Sequence, residues 1–490
     1  MHESHSMGSD PCNIGTIIAK MAETDPDALC VEQGGVCYTR ADVIQSAQAL
    51  AVFFKEQGVE AGASIAIVVV DQLRGIQACI ALWSLGAATL FLDPRQRIDE
   101  LRTAQDRADV EAIFTDSKSF ARRGGFGLLP ADITAVKTTD ALSFPSGSCD
   151  AVALIRSSSG TTGLPRFRRV SHRTILSGMQ SSAVLLNSHS PFPAVIVGSL
   201  AFGAILSHWM KLLIHGKFIL ALPLVFKTSE LHQALLRTEI QSVGLPPVLI
   251  EDLLAFHKDN AVEIDRPIYP HLRRMTSVGG PITPENLVQA YQVLTPSIKN
   301  LYSMSGIGAV SALSGGEILE KPNSVGRPFP SMAVRIESEK GELCKTGQVG
   351  RIVVNAGWKD SAVPIDTGDL GWLDEEGYLF VHGRSAQIAT RKSINVSLPD
   401  IELDVKGVAG IRDCLAFCIQ SDGSADDRIY LAVEAETPLV VDHIRSILAS
   451  YRWPDKILVR AQLPRNAASK ISLRDLKRVA TEKETSFVDF

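Results

Sequence analysis

The chain runs to 490 residues, a length that suggests roughly two to four domains or subdomains. Its 45% hydrophobic and 21% charged content is normal for a soluble globular protein with a large core. The net charge of -5 comes with no long block of one sign, which argues against nucleic acid as the main partner.

The opening "MHESHSMGSD" has no basic region followed by an apolar one, so no signal peptide is expected. "ASIAIVVV" (63–70) reads as a buried strand, 73–86 as a helix ending at Gly86, and 87–93 as the next strand. A helix over 97–109 and a strand over 110–116 follow. This strand–helix–strand order predicts a parallel sheet covered by helices. The apolar run "AVALI" (151–155) reads as a strand directly ahead of "RSSSGTTGLPR" (156–166). Residues 191–226 are strongly apolar, but Ser199, His208, Lys211, His215 and Lys217 interrupt them. A spanning helix needs about 20 mostly apolar residues, so this segment reads as buried strands and a helix of a large core, with no stable membrane insertion. A strand over 218–226, a helix over 228–238 and a strand over 242–246 continue the rhythm.

After about residue 325 alternating strands and turn glycines predict an antiparallel region, with a hairpin over 371–384. The tail offers two strands, "CLAFCIQSD" and "RIYLAVEAE", a helical stretch over 438–450, and then "LPRNAASKISLRDLKR". These make a small α+β unit, with a domain boundary expected near Arg384–Ala386. No internal repeat or low-complexity tract is present. Eight cysteines (Cys12, Cys30, Cys37, Cys79, Cys149, Cys344, Cys414, Cys418) form no CxxC pair and mostly sit in apolar stretches. A reducing, cytoplasmic location fits them better than a secreted disulfide scaffold.

The stretch 156–166 packs five hydroxyls and two glycines between two arginines. Hydroxyls, exposed backbone N–H groups and a cation make an anion site, and glycine lets backbone approach a phosphate. GxxxxGK[ST] is absent, so the loop is not a Walker A sequence. "SSGTTGLPR" followed by "RRVSHRTIL" resembles the nucleotide-phosphate loop of the adenylate-forming superfamily: acyl- and aryl-CoA synthetases, adenylation domains of nonribosomal peptide synthetases, and luciferases. The resemblance extends over essentially the whole chain. "LRRMTSVGGPI" (272–282) resembles the adenine-pocket glycine pair, and "NLYSMSG" (300–306) lies where the family has N-x-Y-G-x-T-E. "VGRPFPSM" and "DTGDLGWLDEEGYLFVHGR" match the ribose strand and hinge, and "LPRNAASKISLRDL" (463–476) matches the catalytic-lysine segment.

The resemblance implies an α/β fold: a large N-terminal domain of helix-covered mixed sheets plus a β-barrel-like subdomain (1–384), with a small mobile α+β C-terminal domain (385–490). It implies that ATP and Mg²⁺ are used, and that a carboxylate attacks the α-phosphorus of ATP. Ser158, Ser159, Thr161 and Thr162, with the backbones of Gly160 and Gly163, would hold the β- and γ-phosphates. Arg166 stands in the place of the family's loop lysine. Gly279, Gly280 and Pro281 would border the adenine, with Tyr302 stacked on it, a contact worth about 1–3 kcal/mol per base. Ser305 aligns with the threonine near the α-phosphate. Asp369 would accept hydrogen bonds from the ribose hydroxyls, and Arg384 would contact ribose or phosphate. Lys470 would swing in from the small domain and bridge the carboxylate to the α-phosphate, favouring the transition state over separated reactants.

Three positions depart from the family pattern. Gly306 stands where a glutamate is associated with Mg²⁺, leaving the ion to ATP phosphates and water, its usual preference. Ala386 occupies the hinge position, usually Asp or Lys. "ATRKSINVS" (389–397) replaces a glycine-containing loop, with Lys392 and Ser393 where paired glycines often lie. Side chains there bear on which thiol is accepted. The amino-acid-activating relatives carry an F-D pair where this chain has "LAFGAIL" (200–206), with Gly203 after Phe202. Without that carboxylate a substrate ammonium would be costly to bury. Leu200 or Ala201 stands near the place of a histidine found in many acyl-CoA synthetases. An apolar pocket is therefore expected, taking a fatty, branched or aryl acid without a free α-amino group. Transfer to CoA or to a carrier-protein phosphopantetheine is the leading expectation. Transfer to an amine, or a degenerate nucleotide-binding member without turnover, are the alternatives.

Overall fold

In the computed structural model the strand expected at 63–70 is Ser64–Val68, and all five of its residues are buried. The structure describes every residue except 1–12, 132–147, 159–165, 186–190, 260–266, 305–307, 339, 357–363, 385–387, 392–393, 420–426, 438–439, 449, 467–469 and 483–486. The chain divides into two compact units: 1–277 with 292–298 and 305–308, and 278–291 with 299–304 and 309–490.

In the first unit one sheet has the strand order Gly127–Leu128, Ala112–Thr115, Ser64–Val68, Ala88–Phe91, Val152–Ser158, Arg166–Ser171. All its pairs are parallel except the last. Burial on both faces is what makes Ser64–Val68 read as a continuous apolar run. A second run of strands has the order Arg274–Ser277, Ser242–Leu245, Ala194–Ile196, Ile219–Ala221, Leu29–Gln33, Val36–Thr39, parallel up to its antiparallel edge. Helices Ile14–Thr24, Arg40–Glu56, Gln72–Ser84 and Gly203–Ile214 share one core with both runs. Gln72–Ser84 is buried on nearly every side. The indole of its Trp83 donates to Ala153 O at 2.8 Å, the partner a buried tryptophan needs.

The strand expected over 218–226 stops at Ala221. Leu222 is still buried, but Pro223 has no N–H for a ladder and Val225 is 85% exposed, so the apolar run loses its burial past Leu222. The doubtful segment 191–226 is otherwise core, with Trp209, Met210 and Leu212 buried. Among the described residues no helix is long and apolar enough to cross a membrane.

The second unit holds the expected antiparallel region. Strands Met332–Glu337, Gly350–Ala356, Ile365–Leu373 and Leu379–Arg384 form a curled four-stranded sheet in chain order. The tail forms another sheet from Ile411–Ile419, Arg428–Ala435, Lys456–Arg460 and Val488–Asp489. Alternate residues of Arg428–Ala435 serve two cores. Ile429, Leu431 and Val433 pack with Ile401, Val405 and Ile444 on one face. Tyr430 and Ala432 pack with Leu476 and Ala480 on the other. The expected loop at 389–397 is instead a hairpin, Ile388–Arg391 with Ile394–Ser397, because Ala389 and Val396 are buried as inward-facing strand residues. Gly383, at φ +132, meets Pro399 of helix Leu398–Lys406, where a side chain would collide. The expected boundary at Arg384–Ala386 falls inside this second unit, and Ala386 lies outside the described residues.

Candidate nucleotide and catalytic site

Asp369 is aimed by an irregularity in its own strand. The pairing of Gly350–Ala356 with Ile365–Leu373 runs Gly350↔Gly371 and Arg351↔Leu370, then shifts to Val353↔Asp366. Residues 367–369 thus bulge, a device that re-aims side chains. Gly368 has φ +73, a conformation a side chain would resist. Its N–H donates to Asp366 Oδ1 at 2.8 Å. Thr367 Oγ1 accepts from the Asp369 N–H at 3.0 Å and donates to Ile352 O at 2.8 Å. The Asp369 carboxylate, in a residue only 9% exposed, accepts a hydrogen bond from the Tyr302 hydroxyl at 2.6 Å. Arg384 lies directly opposite Asp369 on the neighbouring strand. Three of the expected nucleotide residues are therefore gathered in one place. The hydroxyl–carboxylate bond itself joins positions 67 apart and carried no sequence signal.

Gly279 (φ +97) and Gly280 are half-buried and Pro281 is exposed, just ahead of helix Pro284–Gln289. Thr283 caps that helix, its Oγ1 accepting from the Asn286 N–H at 3.2 Å. This segment belongs to the same compact unit as Tyr302 and Asp369.

Lys470 is exposed on a tightly closed loop. The Asn466 N–H donates to Lys470 O at 2.7 Å, and the Lys470 N–H donates to Asn466 Oδ1 at 3.1 Å. An antiparallel bridge pairs Arg465 with Ile471. Arg465 anchors the loop on the tail sheet, with Nη1 3.0 Å from Asp413 Oδ2 and Nη2 3.1 Å from Glu434 Oε2. Glu434 also accepts the Leu463 N–H at 3.0 Å, and Asp413 also pairs with Lys406 Nζ at 2.7 Å. The anchor leaves no signal in the sequence, since nothing in "LPRNAASK" says where the arginine's partners lie.

The anchor predicts a separable phenotype. On the role the resemblance implies for Lys470, Arg465→Ala should lower the adenylation kcat by up to about 100-fold, the scale of a misplaced catalytic group, with the KM for ATP nearly unchanged. Arg465→Lys should recover part of the rate, and steady-state pyrophosphate exchange reads both. Parallel changes in kcat and KM would mean that the arginine does not position the loop.

In the first unit Ser158 and Arg166 face each other as the last pair of the antiparallel strands Val152–Ser158 and Arg166–Ser171. The hydroxyl-rich loop thus connects two strands rather than a strand and a helix. Ser159, Gly160, Thr161, Thr162 and Gly163 lie outside the described residues, as do Ser305, Gly306, Lys392 and Ser393.

The profile of a family described as AMP-binding enzyme matches residues 18–357. The 2-succinylbenzoate–CoA ligase of Oceanobacillus iheyensis is 24% identical over 491 aligned positions, covering 94% of this chain and 98% of the relative. Among solved structures, the o-succinylbenzoate coenzyme A synthetase of Bacillus subtilis in complex with ATP and magnesium ion has a TM-score of 0.78 at 21% identity, covering 94% of this chain and 98% of that one. The amide bond synthetase McbA of Marinactinospora thermotolerans has a TM-score of 0.76 at 19% identity, covering 96% of this chain and all of that one. At these identities the structural likenesses speak for the fold: large N-terminal mixed sheets, a curled half-barrel sheet and a small C-terminal α+β part.

Proposed function

Because this chain belongs to the AMP-binding enzyme family, and so is an adenylate-forming enzyme, we propose that it activates a carboxylic acid lacking a free α-amino group and passes the acyl group to a thiol. An oxygen of the acid attacks the α-phosphorus of ATP, the bond to the bridging oxygen breaks, and pyrophosphate leaves. A thiol then attacks the acyl carbonyl and AMP departs. Two anions must meet in the first step, so positioning and charge neutralisation carry most of the catalysis. Asp369 accepts the ribose hydroxyls, the Tyr302 ring stacks on the adenine beside Gly279–Pro281, and Arg384 reaches ribose or phosphate. Ser158, Arg166 and the loop between them receive the β- and γ-phosphates, Ser305 stands near the α-phosphate, and Lys470 neutralises the reacting oxygens.

The observation that carries the nucleotide assignment is the buried Asp369 carboxylate held by Tyr302. The thiol step is supported by the curated relatives, which are CoA ligases, and CoA is the proposed acceptor ahead of a carrier-protein phosphopantetheine. A magnesium ion would be brought in on the nucleotide's phosphates and water, its usual ligands. Bound there, the ion would supply charge neutralisation. A degenerate nucleotide-binding member without turnover is the second reading, favoured by Gly306 and by Lys392 and Ser393 in place of the usual glycines.

Acid-dependent exchange of labelled pyrophosphate into ATP, run across a panel of apolar mono- and dicarboxylic acids, tests the first step. Exchange is expected with at least one acid, and single-turnover trapping with CoA, phosphopantetheinylated carrier proteins or amines then identifies the acceptor. ATP binding without exchange for any acid would defeat the proposal and leave a nucleotide-binding protein without turnover.

A further inference from the structure

The stretch expected to shape an apolar acid pocket, 200–206, runs into helix Gly203–Ile214. One side of that helix is not apolar. Ser207 and Lys211 are four residues apart and His208 and Lys211 three apart, spacings that place all three on adjoining parts of one face. Arg156, near the end of strand Val152–Ser158, donates from Nη2 to Ser207 Oγ at 3.1 Å, while its Nε is buried without a partner among the described residues. Arg274, which opens strand Arg274–Ser277, holds its guanidinium 5.6 Å from the centre of the Phe192 ring. The side chains of His208, Lys211 and Arg274 make no hydrogen bond or ion pair with any described residue, and all three residues are half-buried.

Burial disfavours the charged form of each of the four ionisable groups, and neighbouring charges add to this for Lys211 and His208. Burial, then the Arg274 charge, brings Lys211 down to about 8. Burial, then Lys211 and Arg274, brings His208 down to about 4. Burial lowers Arg156 and Arg274. Buried cations are ordinarily paired, because removing them from water without a counter-charge is expensive. Lys211 and Arg274 lie close enough for one charge to act on the other, Arg156 reaches the same helix through Ser207, and none of them pairs with a described carboxylate; such ammonium and guanidinium donors suit an oxyanion.

Resting on the adenylation reading, we propose that Arg156, Ser207, His208, Lys211 and Arg274 form an anion subsite for a second carboxylate of the acid substrate. At the helical rise, Ser207 and Lys211 lie about 6 and 12 Å along the helix from its first residue. The substrate class is then a dicarboxylic acid with an apolar body, one end activated and the other held by this cluster. The expectation of a wholly apolar pocket is replaced by an apolar pocket with a charged floor.

The test compares matched acids of equal length, one with and one without the distal carboxylate, in pyrophosphate exchange by the parent, Lys211→Met and Arg274→Gln. The parent should show a KM about 10- to 100-fold lower for the diacid, the value of a charge-assisted contact, and each variant should lose that preference while its monoacid KM is unchanged. Equal KM values for the two acids in the parent would overturn the subsite while leaving adenylation intact. Calorimetry of the same acids and of inorganic pyrophosphate with the unliganded parent and variants covers the case in which no acid supports exchange. Diacid-selective binding lost in Lys211→Met would sustain the subsite even then. Pyrophosphate binding lost in that variant, without any diacid preference in the parent, would give the cluster to a phosphate and end the proposal.

Discussion

Lys470→Ala should reduce acid-dependent pyrophosphate exchange by about 100- to 1,000-fold, the cost of removing one well-placed donor of positive charge from a transition state. ATP affinity, measured by calorimetry, should change by less than about threefold, since an interaction made mainly in the transition state lowers kcat without weakening ground-state binding. The loop makes this a clean substitution. Its closure uses the Asn466 N–H and side-chain oxygen against the Lys470 backbone, and its anchor uses Arg465, so an alanine at 470 leaves these contacts in place. The exposed side chain contributes little to folding, and the melting temperature should stay within about 1–2 °C of the parent, as surface substitutions usually do. Loss of ATP binding in proportion to rate would show that the ammonium holds the ground state instead. A two- or threefold loss of rate would remove Lys470 from the chemistry. Arg465→Ala is the companion experiment, because it disturbs the same amine through its support and should fall short of the full loss.

Much of the fold could be read along the chain because its signals are local. Ser64–Val68 and Ala88–Phe91 are buried on both faces and therefore uniformly apolar, and Gly86 (φ +74) ends the intervening helix where the pattern does. The limits appear where composition and burial part company. Leu222–Phe226 is as apolar as a strand, yet Pro223 breaks the ladder and Val225 faces solvent. The paired strands Ile388–Arg391 and Ile394–Ser397 are four residues each, too short for an alternating pattern to stand out in the sequence. In the site, Asp369 and Tyr302 could be named from their motifs, but their direct bond depends on a bulge at 367–369 that only the strand register reveals. The basic face of helix Gly203–Ile214 was visible as interruptions at His208 and Lys211, without a reason for them. The subsite proposed above supplies one through Arg156 and Arg274, which come from strands far away in sequence.

Asp369→Ala should weaken ATP binding by about 10- to 100-fold, because a carboxylate accepting hydroxyl protons makes charge-assisted hydrogen bonds of about 1.5–3 kcal/mol. The loss must be separated from a simple collapse of the Tyr302 pairing. Tyr302→Phe removes the 2.6 Å bond but keeps the ring, so it should cost only about fivefold, the value of an ordinary hydrogen bond. If both substitutions cost the same, the aspartate acts only by steering the tyrosine. An ATP analogue without the two ribose hydroxyls provides the decisive comparison. The parent should bind it about as weakly as Asp369→Ala binds ATP, and the variant should not distinguish the two nucleotides. A parent protein indifferent to the ribose hydroxyls would place the sugar away from Asp369, and the bulge at 367–369 would then need a different ligand to account for it.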